Sequence, residues 1–328
     1  MSSSSVEEKL SAAAQTAPRR GGEGAPAAGA YHWVEQRCPV CERPPTKFVG
    51  RRGGAAHRES LGVECRLWRC EACDLIFPNP MPVPVGGLEQ HYGVPPDDYF
   101  QNYELDEKGR AASYMLERAL ELNGGQPGRL LDVGSGRGEL LRAAREAGWT
   151  AVGLDPSPAF ARYAARYSGA EVRECAIEKC GFEAGSFDVV IFGAVLEHVY
   201  NPDETVREIA RVLRRGGALY VDVPNERGLY FRVGNLYQRL RGRDWVVNLA
   251  PTFDPFHLFG FSPRALRALL AKHGLRPVDW RVYAGTSMVP ARGGLAGRLE
   301  QLAARAVTAL SEHAELGTYI ETWVVKEK

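Results

Sequence analysis

Four cysteines stand in two pairs, Cys38-Pro-Val-Cys41 and Cys70-Glu-Ala-Cys73. Each CxxC knuckle turns two thiolates toward one ion, and two knuckles complete a tetrahedral set. Four thiolates leave no open position for water or substrate. The zinc expected at Cys38, Cys41, Cys70 and Cys73 is therefore structural. Further on, LLDVGSGRGELL (Leu130–Leu141) sets Asp132 ahead of Gly134, Gly136 and Gly138. Glycines at alternate positions let the backbone pass close beneath a ligand. The spacing is GxGxG rather than the dinucleotide fingerprint GxGxxG. Asp132 is positioned to accept from an ammonium group, which a pyrophosphate lacks. About 20 residues later Asp155 ends an apolar run, where a carboxylate can hold both hydroxyls of a ribose.

These residues need elements to hold them. From Arg129 the sequence alternates short β-rich runs with helical stretches, the pattern of a parallel sheet covered by helices on both faces. Strands are expected at Arg129–Val133, Thr150–Leu154, Glu171–Glu174, Phe187–Phe192 and Ala218–Val223. A helix is expected from Glu139 to near Gly148, and another over Asp203–Leu213, stopped by Arg-Gly-Gly. Ser262 caps a helix that ends at Gly274. The Ser-, Ala-, Gly- and Pro-rich start, residues 1–30, reads as a disordered tail. A zinc ribbon over 31–85 and a linker over 86–128 with helices that cap the cofactor follow. The sheet domain fills 129–328, with lid insertions at 226–261 and 285–317.

The segment SFDVVIFGAVLEHVYNPDETVREIARVLRRGGALYVDVPN (Ser186–Asn225) resembles class I S-adenosylmethionine-dependent methyltransferases, with its FDVV, LEHV and RVLRRGG blocks in order. The resemblance extends over roughly Tyr92 to Val325. It implies a Rossmann-like α/β fold, a seven-stranded sheet whose last strand, Tyr319–Val325, runs antiparallel beside Pro277–Tyr283. It implies S-adenosylmethionine as cofactor, held by Asp132, Gly134, Gly136, Gly138 and Asp155. The ribbon, DLIFPNPMP and the aromatic approach of Tyr92, Tyr99, Phe100 and Tyr103 are similar to zinc-ribbon methyltransferases of sugar and secondary-metabolite clusters. In that group such aromatics close over the cofactor, and Tyr103 is taken for that role. Where many relatives carry an adenine-binding acid this chain has Ala176, so the Ile177 backbone, with Glu178, is expected to take the adenine.

In this fold the reacting centre lies beyond the carboxyl ends of the strands. Glu197, His198 and Tyr200 follow the fourth strand there. A sugar hydroxyl must lose its proton as it attacks, and His is the usual base near neutral pH. His198 is the first candidate, with Glu197 beside it, and His257, at the end of the 226–261 insertion, is the second. Some quinone O-methyltransferases complete a metal site with a glutamate three residues before the Glu of LEH. Ala194 holds that position here, which argues against a metal. His273 is read as a favourable charge at a helix end.

The chain has 328 residues, a formal net charge of +1 and seven cysteines. Near-neutral charge disfavours nucleic acid as main partner. Between Tyr31 and Pro80, eight Lys/Arg face six Asp/Glu, an excess that a four-thiolate zinc centre cancels. No run of about 18 apolar residues spans a membrane. With no export signal, a reducing cytoplasm is expected, with cysteines on metal or in cores rather than in disulfides. The leading expectation is methyl transfer to a small-molecule acceptor, most of all a hydroxyl of a sugar, nucleotide sugar or glycosylated natural product. An rRNA or tRNA methyltransferase that uses its ribbon for recognition is the rival. Leu295, Leu299, Leu302, Ala306 and Leu310 fall near helical spacing, which suits packing against the domain or against a partner in a homodimer rather than a catalytic role.

Overall fold

The computed structural model describes residues 30–57, 60, 62–85, 105–249, 257–284, 311 and 314–327. The tail, Tyr92, Tyr99, Phe100, Tyr103 and the leucine-rich stretch from Leu295 to Leu310 lie outside them.

The amino-terminal part is small and strand-rich. β1 (Tyr31–Val34) pairs antiparallel with β5 (Met81–Pro84). Between them β2 (Lys47–Arg52), β3 (Cys65–Arg69) and β4 (Ile76–Pro78) form a three-stranded antiparallel sheet. Helix α1 (Leu105–Leu122) leads into the larger sheet. There β6 (Arg129–Val133), α2 (Glu139–Glu146), β7 (Thr150–Leu154), α3 (Pro158–Ser168) and β8 (Glu171–Arg173) form the first half. The second half is β9 (Phe187–Gly193), α4 (Pro202–Val212), β10 (Leu213–Pro224), α5 (Leu229–Leu240), α6 (Pro263–Lys272), β11 (Leu275–Tyr283) and β12 (Tyr319–Lys326).

The seven-stranded order is β11-β12-β10-β9-β6-β7-β8. β12 is antiparallel to both β10 and β11, whereas β6, β7, β8, β9 and β10 pair in parallel. Expected strand positions match, with one shift: β10 starts at Leu213 and takes in Arg-Gly-Gly. Its register slips between Leu213 and Ala218, where the glycines let the strand bend without leaving the sheet.

The central strands are apolar at consecutive positions because both faces are covered. Successive side chains point to opposite faces, and the burial divides accordingly. Leu131, Val133, Val190, Phe192, Leu219 and Val221 join one core with Val206 and Ile209 of α4 and Leu266, Leu269 and Leu270 of α6. Leu130, Val189, Ile191 and Ala218 join the other with Leu116 of α1 and Leu140 and Leu141 of α2. The first core also contains Cys38, Val40, Cys70, Cys73, Leu75 and Phe77, so the strand-rich part packs on the sheet domain through shared apolar surface. Backbone bonds join them too: Ile76 N–H to Gly260 O (3.0 Å), Gly260 N–H to Ile76 O (2.7 Å) and Val246 N–H to Arg51 O (3.0 Å).

The helix starts have plain chemical causes. Asn201 Oδ1 accepts from Glu204 N–H at α4 and Ser262 Oγ from Ala265 N–H at α6, each followed by Pro in the first turn. His273, read as a helix-end charge, stands at the C-cap of α6 and meets Asp203 of α4 at 2.8 Å through Nε2. The expectation that cysteines avoid disulfides fails once, at Cys175–Cys180. The 3₁₀ turn Ile177–Lys179 folds the segment back and brings the two sulfurs together.

Candidate functional site

Asp132 is buried at the end of β6, and the turn after it is drawn to the next strand by Gly134 and Ser135 N–H groups on Leu154 O (2.8 and 2.9 Å). Gly134 sits at φ +77°, and a Cβ there would lie 2.4 Å from Val195. The close approach of the turn to the loop after β9 therefore requires glycine. Gly138 caps α2 at φ +92°. Asp155, at the end of β7, accepts from Ser157 N–H (2.9 Å). Burial pushes the Asp132 carboxyl up to about 7, helped by the neighbouring acids Glu139 and Asp155. Burial also lifts Asp155 to about 6, against the N–H groups of Ser157 and Gly136.

These features fit S-adenosylmethionine: a buried acid beside other acids for the ammonium, a glycine cradle, and a second acid at the neighbouring strand end. Ser135 Oγ adds a shielded polar atom with no hydrogen-bond partner among the described residues. Ala176 caps the Ile177–Lys179 turn and Ile177 is buried. Glu178, expected to share in adenine binding, instead accepts a hydrogen bond from Thr205 Oγ1.

The second cluster forms after β9. Ala194, at φ +53°, donates its N–H to Asp222 Oδ1 (2.9 Å), which turns the chain sharply out of the sheet. Glu197 then lies buried, with Oε2 lacking a hydrogen-bond partner. Its backbone carbonyl accepts from Leu258 and Phe259 N–H (2.7 and 3.1 Å), which fastens the far end of the 226–261 insertion beside it. His257 is thereby carried to His198, their ring centroids 4.8 Å apart and nearly perpendicular. His198 Nε2 is 3.9 Å from Glu197 Oε1. Burial pushes Glu197 up to about 8, with Asp222 and Glu226 adding to it, and burial beside His198 holds His257 well below the usual histidine range.

The donor atoms of Glu197, His198 and His257 lie within 4.8 Å of one another. The arrangement has two chemical uses, taking a proton from an acceptor or holding a divalent ion. Ala194 stands where a further ligand would, and His257 reaches the cluster from a distant segment. Spacing along the chain gave no sign of this partner.

In the amino-terminal part Cys38 Sγ and Cys73 Sγ are 3.3 Å apart, as are Cys41 Sγ and Cys70 Sγ, and all four atoms lie within 4.8 Å. Thiolates bound tetrahedrally at 2.3 Å stand about 3.8 Å apart, so the donor set fits zinc. Cys65 points elsewhere, into the core between the two parts, where burial lifts its thiol to about 12. Sequence reasoning missed Asp222, which shapes the turn before Glu197. It also missed Glu226, whose Oε2 accepts from Asn248 Nδ2 and Leu249 N–H (2.9 and 3.0 Å).

A family model for the methyltransferase domain matches residues 104–279. The chain is 32% identical over 173 residues to the ubiquinone biosynthesis O-methyltransferase of Bordetella avium, covering 51% of this chain and 70% of that protein. It is 36% identical over 145 residues to the same-named enzyme of Escherichia coli O157:H7, covering 42% of this chain and 57% of that one. A solved S-adenosylmethionine-dependent methyltransferase from Archaeoglobus fulgidus superposes with a TM-score of 0.48 at 16% identity, over 70% of this chain and 97% of that one. Fold and cofactor cleft together define an enzyme of the class I S-adenosylmethionine-dependent methyltransferases. The chain belongs to the methyltransferase-domain family.

Proposed function

We propose that this enzyme methylates a hydroxyl of a small-molecule acceptor. The carrying observation is the convergence of Glu197, His198 and His257 beyond the carboxyl end of β9, beside the glycine turn. When bound, S-adenosylmethionine supplies an electrophilic methyl on a sulfonium. Asp132 holds its ammonium, Gly134, Gly136 and Gly138 let the turn lie against it, Asp155 takes the ribose, and the backbone at Ala176 and Ile177 borders the adenine. Tyr103 is assigned to closing over the cofactor by resemblance alone. The His198–His257 pair activates the acceptor, with Glu197 steadying it, so that the hydroxyl attacks as its proton leaves.

The curated relatives are named for ubiquinone biosynthesis, which supports a flat-ring hydroxyl. A sugar or glycosylated natural product is the reading the ribbon-type resemblance supports. Zinc held by Cys38, Cys41, Cys70 and Cys73 is structural in this proposal, and the acceptor needs no nucleic-acid partner.

The test uses purified protein and S-adenosylmethionine labelled in its methyl group. A deproteinised metabolite extract, a quinol-containing lipid extract and total RNA are offered in parallel. Label in either small-molecule fraction supports the proposal and separates sugar from ring acceptors. Label in RNA overturns it. Dialysis against a chelator followed by divalent ions distinguishes the two uses of the Glu197 cluster: activity that returns only with metal assigns it to an ion.

A further inference from the structure

Helix α5 turns an apolar face away from the protein. Its inner side is pinned: Asn235 Oδ1 accepts from Val247 N–H (2.9 Å), and Asn235 Nδ2 donates to Asn248 Oδ1 (2.6 Å). Gly234 packs on the same side, where a Cβ would lie 2.8 Å from the Val247 side chain. With 3.6 residues per turn, the opposite side carries Val233, Leu236, Tyr237 and Leu240, with Tyr230 at its edge. Of the ten large apolar side chains that stand exposed among the described residues, these are five. Single exposed apolar residues are ordinary, but a continuous stripe of them calls for a partner.

Charge identifies that partner. From Leu229 to Arg243 there is no acidic residue, while Arg232, Arg239, Arg241 and Arg243 are all present, in a chain whose formal net charge is only +1. On the helical wheel Arg232 and Arg239 border one side of the stripe and Arg241 the other. None of the four arginines has an ion pair among the described residues. Arg232 Nε donates to the Arg227 carbonyl, Arg241 Nη1 to Tyr237 Oη, and Arg243 lies over the Trp245 ring. The nearest acids in sequence are engaged elsewhere, Asp244 by Arg51 and Glu226 by Asn248 and Leu249.

We propose that α5 seats the enzyme on the surface of a bilayer rich in anionic phospholipid. The helix lies in the interface plane, with Val233, Leu236 and Leu240 among the upper acyl chains and the arginines at the level of the phosphates. Twelve residues rise about 18 Å, too short to cross the hydrocarbon core, and no helix among the described residues is long and apolar enough to do so. The aliphatic centre of the stripe suits lipid better than nucleic acid, which flat rings and arginines alone would meet. An isologous pair of chains would set arginines against arginines with no acid between them. The proposal concerns where the enzyme works and stands independently of the acceptor.

The experiment is sedimentation of the full chain, loaded with S-adenosylhomocysteine, with two kinds of vesicle. One is phosphatidylcholine alone, the other phosphatidylcholine mixed with phosphatidylglycerol. The mixed vesicles should bind about tenfold more tightly or better, and high salt should remove most of that preference. Leu236→Ser with Leu240→Ser, and separately Arg239→Gln with Arg241→Gln, should each weaken binding to the mixed vesicles by about tenfold or more. These side chains face solvent, so S-adenosylhomocysteine affinity should be unchanged in both variants, which certifies the fold. No binding to the mixed vesicles, equal binding to both kinds, or binding that neither variant weakens overturns the proposal. So does total RNA bound in place of vesicles, which assigns the face to nucleic acid. A dimer that the leucine variant splits, seen by light scattering without vesicle binding, overturns it in favour of a second copy.

Discussion

Asp132 links cofactor binding to pH. Its carboxyl titrates near 7 because burial and two neighbouring acids penalise the charge. A raised acid stabilises the fold fully only below its unfolded value, and that contribution is lost as pH rises through about 7. A bound ammonium reverses the preference, since it pairs with the ionised form. S-adenosylhomocysteine should bind about tenfold or more tightly at pH 8 than at pH 5.5, and Asp132→Asn should flatten that dependence in calorimetry. Removing the imidazole in His198→Ala or His257→Ala should lower kcat by about a hundredfold. Cofactor affinity should stay unchanged in both, so single-turnover rates and S-adenosylhomocysteine titration separate the two effects. Gly134→Ala places a methyl against Val195 in a left-handed backbone, and should weaken cofactor binding by about tenfold or more.

At the scale of elements, the 226–261 insertion behaves as two pieces. Its far end is bonded to Glu197 and delivers His257. Its helix α5 buries no residue, and Val233 and Leu240 are 57% and 79% exposed. Between these pieces Glu226 ties the segment down through Asn248 and Leu249. Glu226→Ala leaves the Leu249 N–H without its partner and Asn248 Nδ2 with only the backbone carbonyl of residue 226, and should destabilise the protein by about 1–3 kcal/mol in urea unfolding. It should also reduce kcat, because the segment carrying His257 loses its anchor.

Across the whole molecule, the cysteine cluster and the methyltransferase sheet share a hydrophobic core. Zinc removal should therefore be felt throughout. Chelation should release about one zinc per chain, measured with a colorimetric indicator, and lower Tm by roughly 5 °C or more in a scan that also follows S-adenosylhomocysteine binding. A ribbon folding alone would leave the main transition in place. Charge pairs across the seam, Arg51 with Asp244 and Arg227 with Asp74, align the two parts. They are partly exposed and contribute little energy.

Strand positions, the glycine turn, both strand-end acids and the four-cysteine set were legible in the sequence because each is a local pattern. Alternation sets the strand, a Gly sets the turn, and CxxC sets the knuckle, all within a few residues. Only the tertiary structure brought His257 to His198, 59 positions apart in the sequence, because a backbone carbonyl at Glu197 captures the returning segment. It likewise decided that Glu178 turns to Thr205 and that Cys175 and Cys180 join. Those outcomes depend on which side chains long-range packing leaves facing one another. No spacing along the chain encodes that.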